Sequence, residues 1–223
     1  MIKNLIFDVG GVLLDYRWKE MLMDYGLDEA DAVRVGTQMF DDPDRTWSIF
    51  DLGTKTDEEI ADTFCKKYTD DEEVIRWFIR HGEYMHVARP KVWKRIHELK
   101  EKGYKIYILS NYPESLFKKH TEYADFMDDI DGLMVSYMIH KAKPDEAIYK
   151  ALCDKYNIDK SESIFFDEKD MLAELEKNRV YEFERGDYLK VAIIKKKGWM
   201  DFVGSRDSSV NVLYGGTVRY EDF

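Results

Sequence analysis

The chain has 223 residues, of which 44% are hydrophobic, so it can bury a sizeable core and is not expected to be disordered. Its formal net charge of -11 argues against non-specific binding to nucleic acid or to anionic membranes, because both require a positive protein surface. No apolar stretch approaches the length of a membrane span, and the first residues lack the pattern of a signal peptide. We therefore expect a cytoplasmic protein in which Cys65 and Cys153 are reduced packing residues.

The N-terminal segment contains an apolar run at residues 5–7, which predicts a buried strand that ends at Asp8. Gly10 and Gly11 follow and would let the backbone turn tightly and approach a ligand closely, which makes Gly11 a candidate substrate-binding residue. Ligands of open α/β sheets bind beyond the carboxyl ends of the strands, so Asp8 stands where chemistry would occur. An ordinary strand that ends in an Asx turn fits the same residues.

Residues 16–87 have helical periodicity and contain no convincing strand. Asp28 and Thr56 are candidate helix caps. A helical block inserted after the first strand predicts a small cap over the strand ends, although a helical layer of the same core fits the pattern too. The predicted helices cover residues 18–25, 28–40, 57–68 and 71–82.

From Tyr104 to Asp167, β-type and helical segments alternate, which predicts right-handed crossovers and a parallel sheet. Small polar or charged residues follow the strands, namely Ser110 with Asn111, and Asp167; Lys143 follows the third strand at a greater distance. Because the carboxyl ends of parallel strands lie at one edge, we expect these side chains to converge with Asp8. The predicted strands cover residues 104–109, 132–136 and 163–166, and the helices residues 90–102, 113–123 and 145–156.

This set of side chains suits phosphoryl transfer. Asp8 could attack phosphorus and form an acyl phosphate, while Mg²⁺ between Asp8, the carbonyl of Gly10 and Asp167 would offset the repulsion between nucleophile and phosphate. Ser110 could donate a hydrogen bond to a phosphate oxygen, and Lys143 would supply further positive charge. Each residue alone also fits an ordinary turn, cap or solvated loop, and their shared position at strand ends is what favours a site.

The motifs in this order resemble those of the haloacid dehalogenase-like (HAD) hydrolase superfamily. The matching segments are residues 6–13, 108–111, 143–145 and 164–167. The resemblance implies an α/β fold with a Rossmann-like parallel sheet, formed by residues 1–15 and 88–183, and a helical cap of the C1 type at residues 16–87.

The resemblance also implies roles for individual residues. Asp8 is the nucleophile; Ser110, Asn111 and Lys143 bind phosphate; and Asp167 ligates the metal. The Gly-Gly variant with Asp15 downstream is similar to the branch of sugar phosphatases that resemble glucose-1-phosphatase. The implied substrate is a small phosphorylated metabolite, such as a sugar phosphate.

The sequence departs from the family pattern at the position two residues after the nucleophile. Typical phosphatases of the superfamily carry there an acid that transfers protons, but this chain has Gly10. Either another group such as Asp15 transfers the proton, or the leaving groups are restricted, or turnover is weak. Asp15 is included with Asp8 and Lys143 as a candidate catalytic residue on the first of these interpretations. The less definite alternatives are Asp41, Asp42 and His86.

A second departure begins after Asp167, where Glu168 and Asp170 stand in place of the usual acidic residues that support the metal. Residues 180–183 could form a fifth strand of the sheet. Residues 184–223 form an atypical β-rich tail of three predicted strands, more like an antiparallel meander than a crossover unit. This tail could pack on the sheet edge, mediate self-association, or be a degenerate end that leaves the metal loop poorly supported.

The leading hypothesis is a Mg²⁺-dependent phosphomonoester hydrolase that acts through an aspartyl phosphate on Asp8. One alternative is a 2-haloacid dehalogenase, which would use Asp8 on carbon, without a metal and without an acid at position 10. The other is a catalytically weakened relative that binds a phosphorylated ligand or a protein.

Overall fold

The central sheet is built around the N-terminal apolar run. In a computed structural model of the chain, which describes residues 2–167 and the backbone of residues 188–191 and 216–219, this run forms strand β1. The other strands of the sheet and of the flanking ribbons follow in chain order. Their bounds are β1 Asn4–Phe7, β2 Leu14–Tyr16, β3 His86–Ala88, β4 Lys105–Ser110, β5 Gly132–Val135, β6 Ser163–Phe166, β7 Tyr188–Val191 and β8 Gly216–Arg219.

Four strands pair in the order β5-β4-β1-β6, and every pair is parallel. The predicted parallel sheet is thus confirmed. All residues of β1 and β6 are buried, as expected for strands covered by helices on both faces. The chain adds β4 and β5 on one side of β1 and then crosses to place β6 on the other side. The resulting switch point lies between β1 and β6, where open α/β sheets bind ligands.

Nine α-helices cover the described part of the chain, five of them before β3. Asp28 accepts a hydrogen bond from the backbone N–H of Asp31, and Thr56 forms a capping box with Glu59, so both predicted caps are confirmed. The helix bounds are α1 Trp18–Tyr25, α2 Glu29–Phe40, α3 Thr46–Asp51, α4 Asp57–Lys67, α5 Glu72–Arg80, α6 Pro90–Glu101, α7 Glu114–Thr121, α8 Ser136–Ile139 and α9 Glu146–Tyr156.

A short antiparallel ribbon joins the helical region, α1 to α5, to the sheet. Strands β2 and β3 pair there, with Leu14 opposite Ala88 and Tyr16 opposite His86. The expectation that residues 16–87 hold no strand is therefore wrong at both ends of that segment. Each strand has only three residues, too few to show alternation, and they pair because the outgoing and returning chains lie side by side.

The helices of this region pack through an aromatic cluster. The ring of Phe40 in α2 lies 5.6 Å from the ring of Trp18, 4.5 Å from that of Trp47 and 5.9 Å from that of Phe78, measured between centroids. These contacts join α1, α2, α3 and α5, and such aromatic pairs add stability beyond the area they bury. Helix α3, which the sequence did not predict, is thus fixed by Trp47 although it has only six residues.

Beyond Asp167, the structure describes only β7 and β8, which pair antiparallel. The strands predicted at residues 180–183 and 199–203 lie outside the described residues, as do Glu168 and Asp170. None of the described helices is both long enough and apolar enough to span a bilayer. Both cysteines are free thiols, as predicted.

Candidate active site

Asp8 lies directly beyond the carboxyl end of β1 and is held by two hydrogen bonds. The hydroxyl of Ser110, the last residue of β4, donates to Asp8 Oδ1 at 2.6 Å. The backbone N–H of Val9 donates to the same oxygen at 2.8 Å. The parallel pairing of β1 with β4 brings these residues together across a sequence separation of 102 positions.

Lys143 bridges Asp8 and Asp167 at the switch point of the sheet. Its Nζ lies 2.9 Å from Asp8 Oδ2 and 2.8 Å from Asp167 Oδ1. The three side chains are only 9%, 16% and 15% exposed, in the order Lys143, Asp8, Asp167. Asp8, Ser110, Lys143 and Asp167 therefore converge, as the motif order predicted.

Two carboxylates share one ammonium in this bridge, and their pKa values separate accordingly. Burial raises the pKa of Asp8, but the charge of Lys143 and hydrogen bonds with Asp167 and Ser110 outweigh burial and hold that pKa below its ordinary value. Burial raises the pKa of Asp167 to about 7; Lys143 opposes the shift and the charge of Asp8 adds to it. A single ammonium thus lies between two carboxylates at this edge of the sheet.

Asn111 positions the loop that carries Lys143. Its Nδ2 donates to the backbone carbonyl of Lys143 at 3.0 Å, and its Oδ1 accepts the backbone N–H of Lys143 at 2.7 Å. Both hydrogen bonds hold the backbone, so the ammonium is placed before any ligand arrives. Sequence reasoning predicted Asn111 as a phosphate-binding residue, and the structure adds this positioning contact.

The donor set beside Asp8 fits Mg²⁺. The carboxylates of Asp8 and Asp167 and the carbonyl of Gly10 are hard oxygen ligands, and Mg²⁺ commonly uses one or two carboxylates together with waters and substrate phosphate. Among the described residues, no group of three or more His, Cys, Asp or Glu side chains gathers in one place to hold a metal. A divalent cation here would therefore rely on two side chains, a backbone oxygen and the substrate.

The absence of a side chain at Gly10 has a steric cause. A Cβ built on Gly10 would lie 2.3 Å from the hydroxyl oxygen of Tyr16 and 3.0 Å from two of its ring carbons. The phenol of Tyr16 thus occupies the space that an acid at position 10 would need. This explains the departure from the family pattern, which the sequence alone did not account for.

Replacing Gly10 by alanine is expected to lower the free energy of unfolding by about 1–3 kcal/mol, the usual cost of overpacking. Tyr16→Phe removes the closest clashing atom, so the cost of Gly10→Ala should fall by about 1 kcal/mol in the Tyr16→Phe background. Urea unfolding of the two single variants and the double variant measures this coupling. Strictly additive effects would contradict the assignment of the clash to the phenol.

A cavity of about 380 Å³ opens beside Asp8, between the sheet edge and the helical region. Its walls are mostly aromatic and apolar, and Asp51 at the end of α3 is the carboxylate that they contain besides Asp8. The lining residues are Asp8, Gly10, Tyr16, Trp18, Phe40, Trp47, Asp51, Met85, Asn111, Tyr112, Pro113 and Leu116.

The structure does not bring the predicted proton-transfer residues to this cavity. Asp15 lies in β2, where its Oδ1 accepts the backbone N–H of Tyr16 at 2.9 Å. Asp42 is buried in an ion pair with Lys67 at 2.5 Å, which is a structural arrangement. Asp41 is exposed to solvent. None of these carboxylates lines the cavity, and the proton-transfer role of Asp15 stays a prediction.

Gly11 and His86 make backbone contacts near the site. Gly11 adopts a positive φ of 73°, which permits the tight turn expected there, and its carbonyl accepts a hydrogen bond from Arg89 at 3.1 Å. Its substrate-binding role stays a prediction. The Nδ1 of His86 lies 2.8 Å from the carbonyl of Glu83, so its ring is engaged outside the cavity.

His120 in α7 is a buried residue that makes two hydrogen bonds. Its Nε2 lies 2.7 Å from the carbonyl of Gly82, and its Nδ1 lies 2.7 Å from the hydroxyl of Tyr112. Burial lowers the pKa of His120 to about 4, so the ring is neutral at pH 7. Because a carbonyl only accepts, Nε2 carries the proton, and Tyr112 therefore donates to Nδ1. This series of hydrogen bonds fixes Tyr112, which forms part of the cavity wall.

A parallel α/β sheet with an aspartate beyond its first strand, and a lysine between that aspartate and a second one, is the arrangement that the resemblance to haloacid dehalogenase-like hydrolases implies. The family model for haloacid dehalogenase-like hydrolases matches residues 2–168. The chain belongs to this family.

Individual relatives are distant. A protein of Mycobacterium tuberculosis, Phosphatase MT3486, is 24% identical over 180 residues, which cover 75% of this chain and 79% of that protein. The HAD family enzyme BT-2542 of Bacteroides thetaiotaomicron, solved with magnesium and inorganic phosphate, is 22% identical with a TM-score of 0.58, over 79% of this chain and 90% of that chain. L-2-haloacid dehalogenase of Xanthobacter autotrophicus, with chloropropionic acid covalently bound, is 16% identical with a TM-score of 0.52, over 74% and 69% of the chains.

Proposed function

We propose that the protein is a Mg²⁺-dependent phosphomonoester hydrolase that acts through an aspartyl phosphate on Asp8. The observation that carries the proposal is the geometry around Asp8. Its carboxylate lies within hydrogen-bonding distance of Ser110 and Lys143, with Asp167 on the far side of the ammonium and a cavity in front. These are the groups that bind a phosphate and stabilise the charge of its transfer.

In this reaction Asp8 attacks phosphorus and becomes phosphorylated, and water then hydrolyses the acyl phosphate. Ser110 turns its hydroxyl from Asp8 to a phosphate oxygen, and Lys143 holds the negative charge of the phosphate while Asn111 keeps the lysine backbone in place. Asp8, Asp167 and the carbonyl of Gly10 would hold Mg²⁺, which when bound neutralises charge on the phosphate and on the nucleophile.

The relatives support this assignment at the level of chemistry. The mycobacterial protein is named a phosphatase, and BT-2542 was solved with magnesium and inorganic phosphate. The set of Asp8, Ser110, Lys143 and Asp167 would give this chain the groups for the same chemistry.

The aromatic walls of the cavity favour a small organic leaving group that is not anionic. The lining contains no lysine or arginine, as far as the described residues go, so it offers no cationic side chain to a second phosphate. The C–H faces of a sugar pack well on aromatic rings such as Trp47 and Trp18, so we propose sugar monophosphates as the substrate class.

We also propose residues 16–87 as the cap, residues 1–15 and 88–183 as the core and residues 184–223 as a separate extension.

A panel of phosphomonoesters tests the proposal directly. The purified protein with Mg²⁺ is expected to hydrolyse phenyl phosphate and sugar monophosphates, and sugar bisphosphates at least tenfold more slowly. EDTA is expected to abolish release of inorganic phosphate, and Mg²⁺ to restore it. Without the metal, Lys143 alone offsets the charge of the Asp8 and Asp167 carboxylates, which repel the phosphate. Hydrolysis that survives complete chelation would contradict the metal-dependent mechanism.

A 2-haloacid dehalogenase is the second candidate function. It is favoured by the ion pair of Asp8 with Lys143, which holds the nucleophile ionised without a metal, and by the apolar cavity wall. Halide release from 2-chloropropionate in EDTA would support it. Tight binding of a phosphorylated ligand without turnover, unchanged in Asp8→Asn, would instead support a weakened relative that only binds.

A further inference from the structure

The proposed hydrolase needs a proton carrier that its sequence motifs do not supply. Cleavage of an ester of an ordinary alcohol leaves an alkoxide unless a proton reaches the leaving oxygen, and hydrolysis of the acyl phosphate requires a base for water. Position 10 cannot provide either group, because Gly10 has no side chain and the phenol of Tyr16 fills the space. The inference below rests on the proposed phosphatase function.

Tyr16 itself is poorly suited to this role. Burial raises its pKa well above the ordinary value, and its contact with the Tyr112 hydroxyl raises it further. The Tyr112 hydroxyl in turn donates a hydrogen bond to Nδ1 of the neutral His120 ring. A phenol held in this way stays protonated at pH 7, so it cannot serve as the base for water.

Asp51 occupies the remaining suitable position. It is the last residue of α3, it is only partly exposed, and it lines the same cavity as Asp8. Within residues 2–167 its carboxylate has no hydrogen bond and no ion pair, whereas the buried carboxylate of Asp42 is paired with Lys67 and Thr46. A carboxylate without a partner at the wall of a cavity is costly unless it serves a ligand.

The backbone of Asp51 is fixed to the sheet. The hydroxyl of Ser136, which directly follows β5, donates to the Asp51 carbonyl, and its oxygen accepts the backbone N–H of Tyr112 at 2.9 Å. His140 anchors the next residue, because its Nδ1 lies 2.8 Å from the carbonyl of Leu52. These contacts hold the end of α3 over the sheet edge that carries Asp8.

We propose that Asp51 is the proton-transfer residue of this hydrolase and replaces the acid missing at position 10. As Asp8 attacks, the bond between phosphorus and the leaving oxygen breaks, and that oxygen takes the proton of the Asp51 carboxyl. In the second step the Asp51 carboxylate takes a proton from water as the water oxygen bonds to phosphorus. The bond between phosphorus and Asp8 then breaks, which releases inorganic phosphate and regenerates both carboxyl groups.

The electrostatic surroundings agree with this role. Burial raises the pKa of Asp51 to about 7; the negative charge of Asp8 adds to the shift, and Lys143 opposes it. The other titratable groups that face or adjoin this position are the phenols of Tyr16 and Tyr112 across the cavity, and Tyr137 and His140 on the side of α8. An acid and base are most effective when their pKa lies near the working pH.

The test compares Asp51→Asn with the wild-type enzyme on two aryl esters that differ in their need for a proton. Phenol is a poor leaving group, so turnover of phenyl phosphate is expected to fall by about 10²–10⁴-fold in Asp51→Asn. With p-nitrophenyl phosphate the first step needs little protonation, so the variant is expected to release a burst of nitrophenol. Phosphorylated Asp8 should then accumulate, because its hydrolysis lacks a base.

Two further variants keep the result interpretable. Asp41→Asn changes an exposed carboxylate of the same helical region and is expected to leave both rates unchanged. Asp51→Glu is expected to recover part of the phenyl phosphate activity, and thermal unfolding should show that Asp51→Asn still folds.

The outcomes separate the two proposals. Equal turnover of phenyl phosphate by wild-type enzyme and Asp51→Asn would overturn the role of Asp51 while leaving the phosphatase assignment intact. An equal loss on both esters, without a burst or phosphorylated enzyme, would also overturn it, since that pattern indicates damage to substrate binding. A wild-type enzyme that hydrolyses neither ester with Mg²⁺ would overturn the proposed function and this role with it.

Discussion

Replacing Asp8 by asparagine is expected to lower the kcat for phosphomonoesters by a factor on the order of 10⁴–10⁶, as for removal of other enzyme nucleophiles. The amide cannot form an acyl phosphate, yet it has nearly the same size as the carboxylate and can still accept the hydrogen bond from Ser110. The loss should therefore appear in kcat and in the disappearance of acid-trapped phosphoenzyme. Steady-state kinetics and rapid quench with labelled substrate measure both quantities.

Asp128→Asn is a matched control for this variant, because Asp128 is an exposed aspartate of the same core. Its kinetics should equal those of the wild-type enzyme. If Asp8→Asn retained more than about a hundredth of the wild-type kcat, a covalent role for Asp8 would be untenable. Retained hydrolysis with no phosphoenzyme in either protein would point to direct attack by water.

Replacing Lys143 by methionine is expected to reduce both activity and stability. The substitution leaves the carboxylates of Asp8 and Asp167 facing each other with about 15% exposure and no ammonium between them. Removal of one partner from a buried ion pair costs about 3–5 kcal/mol, so the free energy of unfolding should fall by that amount near pH 8. Urea unfolding measures the loss, and Lys141→Met, which removes an exposed lysine from the same loop, is the control.

The loss of unfolding free energy in Lys143→Met should be larger at high pH than at low pH. In the wild-type protein Lys143 helps to lower the pKa of Asp8, so that carboxyl contributes stability above its ordinary pKa and loses it as pH falls. Without the ammonium, burial raises the pKa of both carboxyls, and stability is lost as pH rises through these values. The difference in the free energy of unfolding between the variant and the wild type should therefore become smaller as the pH falls to about 5. Added Mg²⁺ should stabilise the variant, whereas a difference that is constant with pH would contradict this account.

The central site was predictable because each of its residues is tied to a strand end. Strand type and length are local properties of residues 5–7 and 163–166, and parallel pairing then places their carboxyl ends at one edge. Asp8, Ser110 and Asp167 need no other information to be brought together. Lys143 was expected in the same set, but it lies in a loop at a greater distance from its strand, so the local pattern specified its position less directly.

Other features depend on packing between distant segments, which local patterns do not encode. Asp51 ends an aromatic helix too short to predict, and it reaches the cavity only because Ser136 and Trp47 fix that helix. The burial of His120 depends on the carbonyl of Gly82, 38 residues away. The overlap of Tyr16 with the space beside Gly10 requires the β2 and β3 ribbon, which is formed by residues about 70 positions apart in the chain.

The ribbon of β2 and β3 attaches the helical region to the core along a single line, because both connecting strands run through it side by side. Rotation about this line would part α3 from the sheet edge without breaking any hydrogen bond of the central sheet. The polar contacts that such a rotation must break include the bonds from Ser136 to Asp51 and from His140 to Leu52. Tyr16 in the ribbon and Asp51 beside these hydrogen bonds both line the cavity. Closing the cavity over a substrate would therefore also bring the Asp51 carboxyl to that substrate.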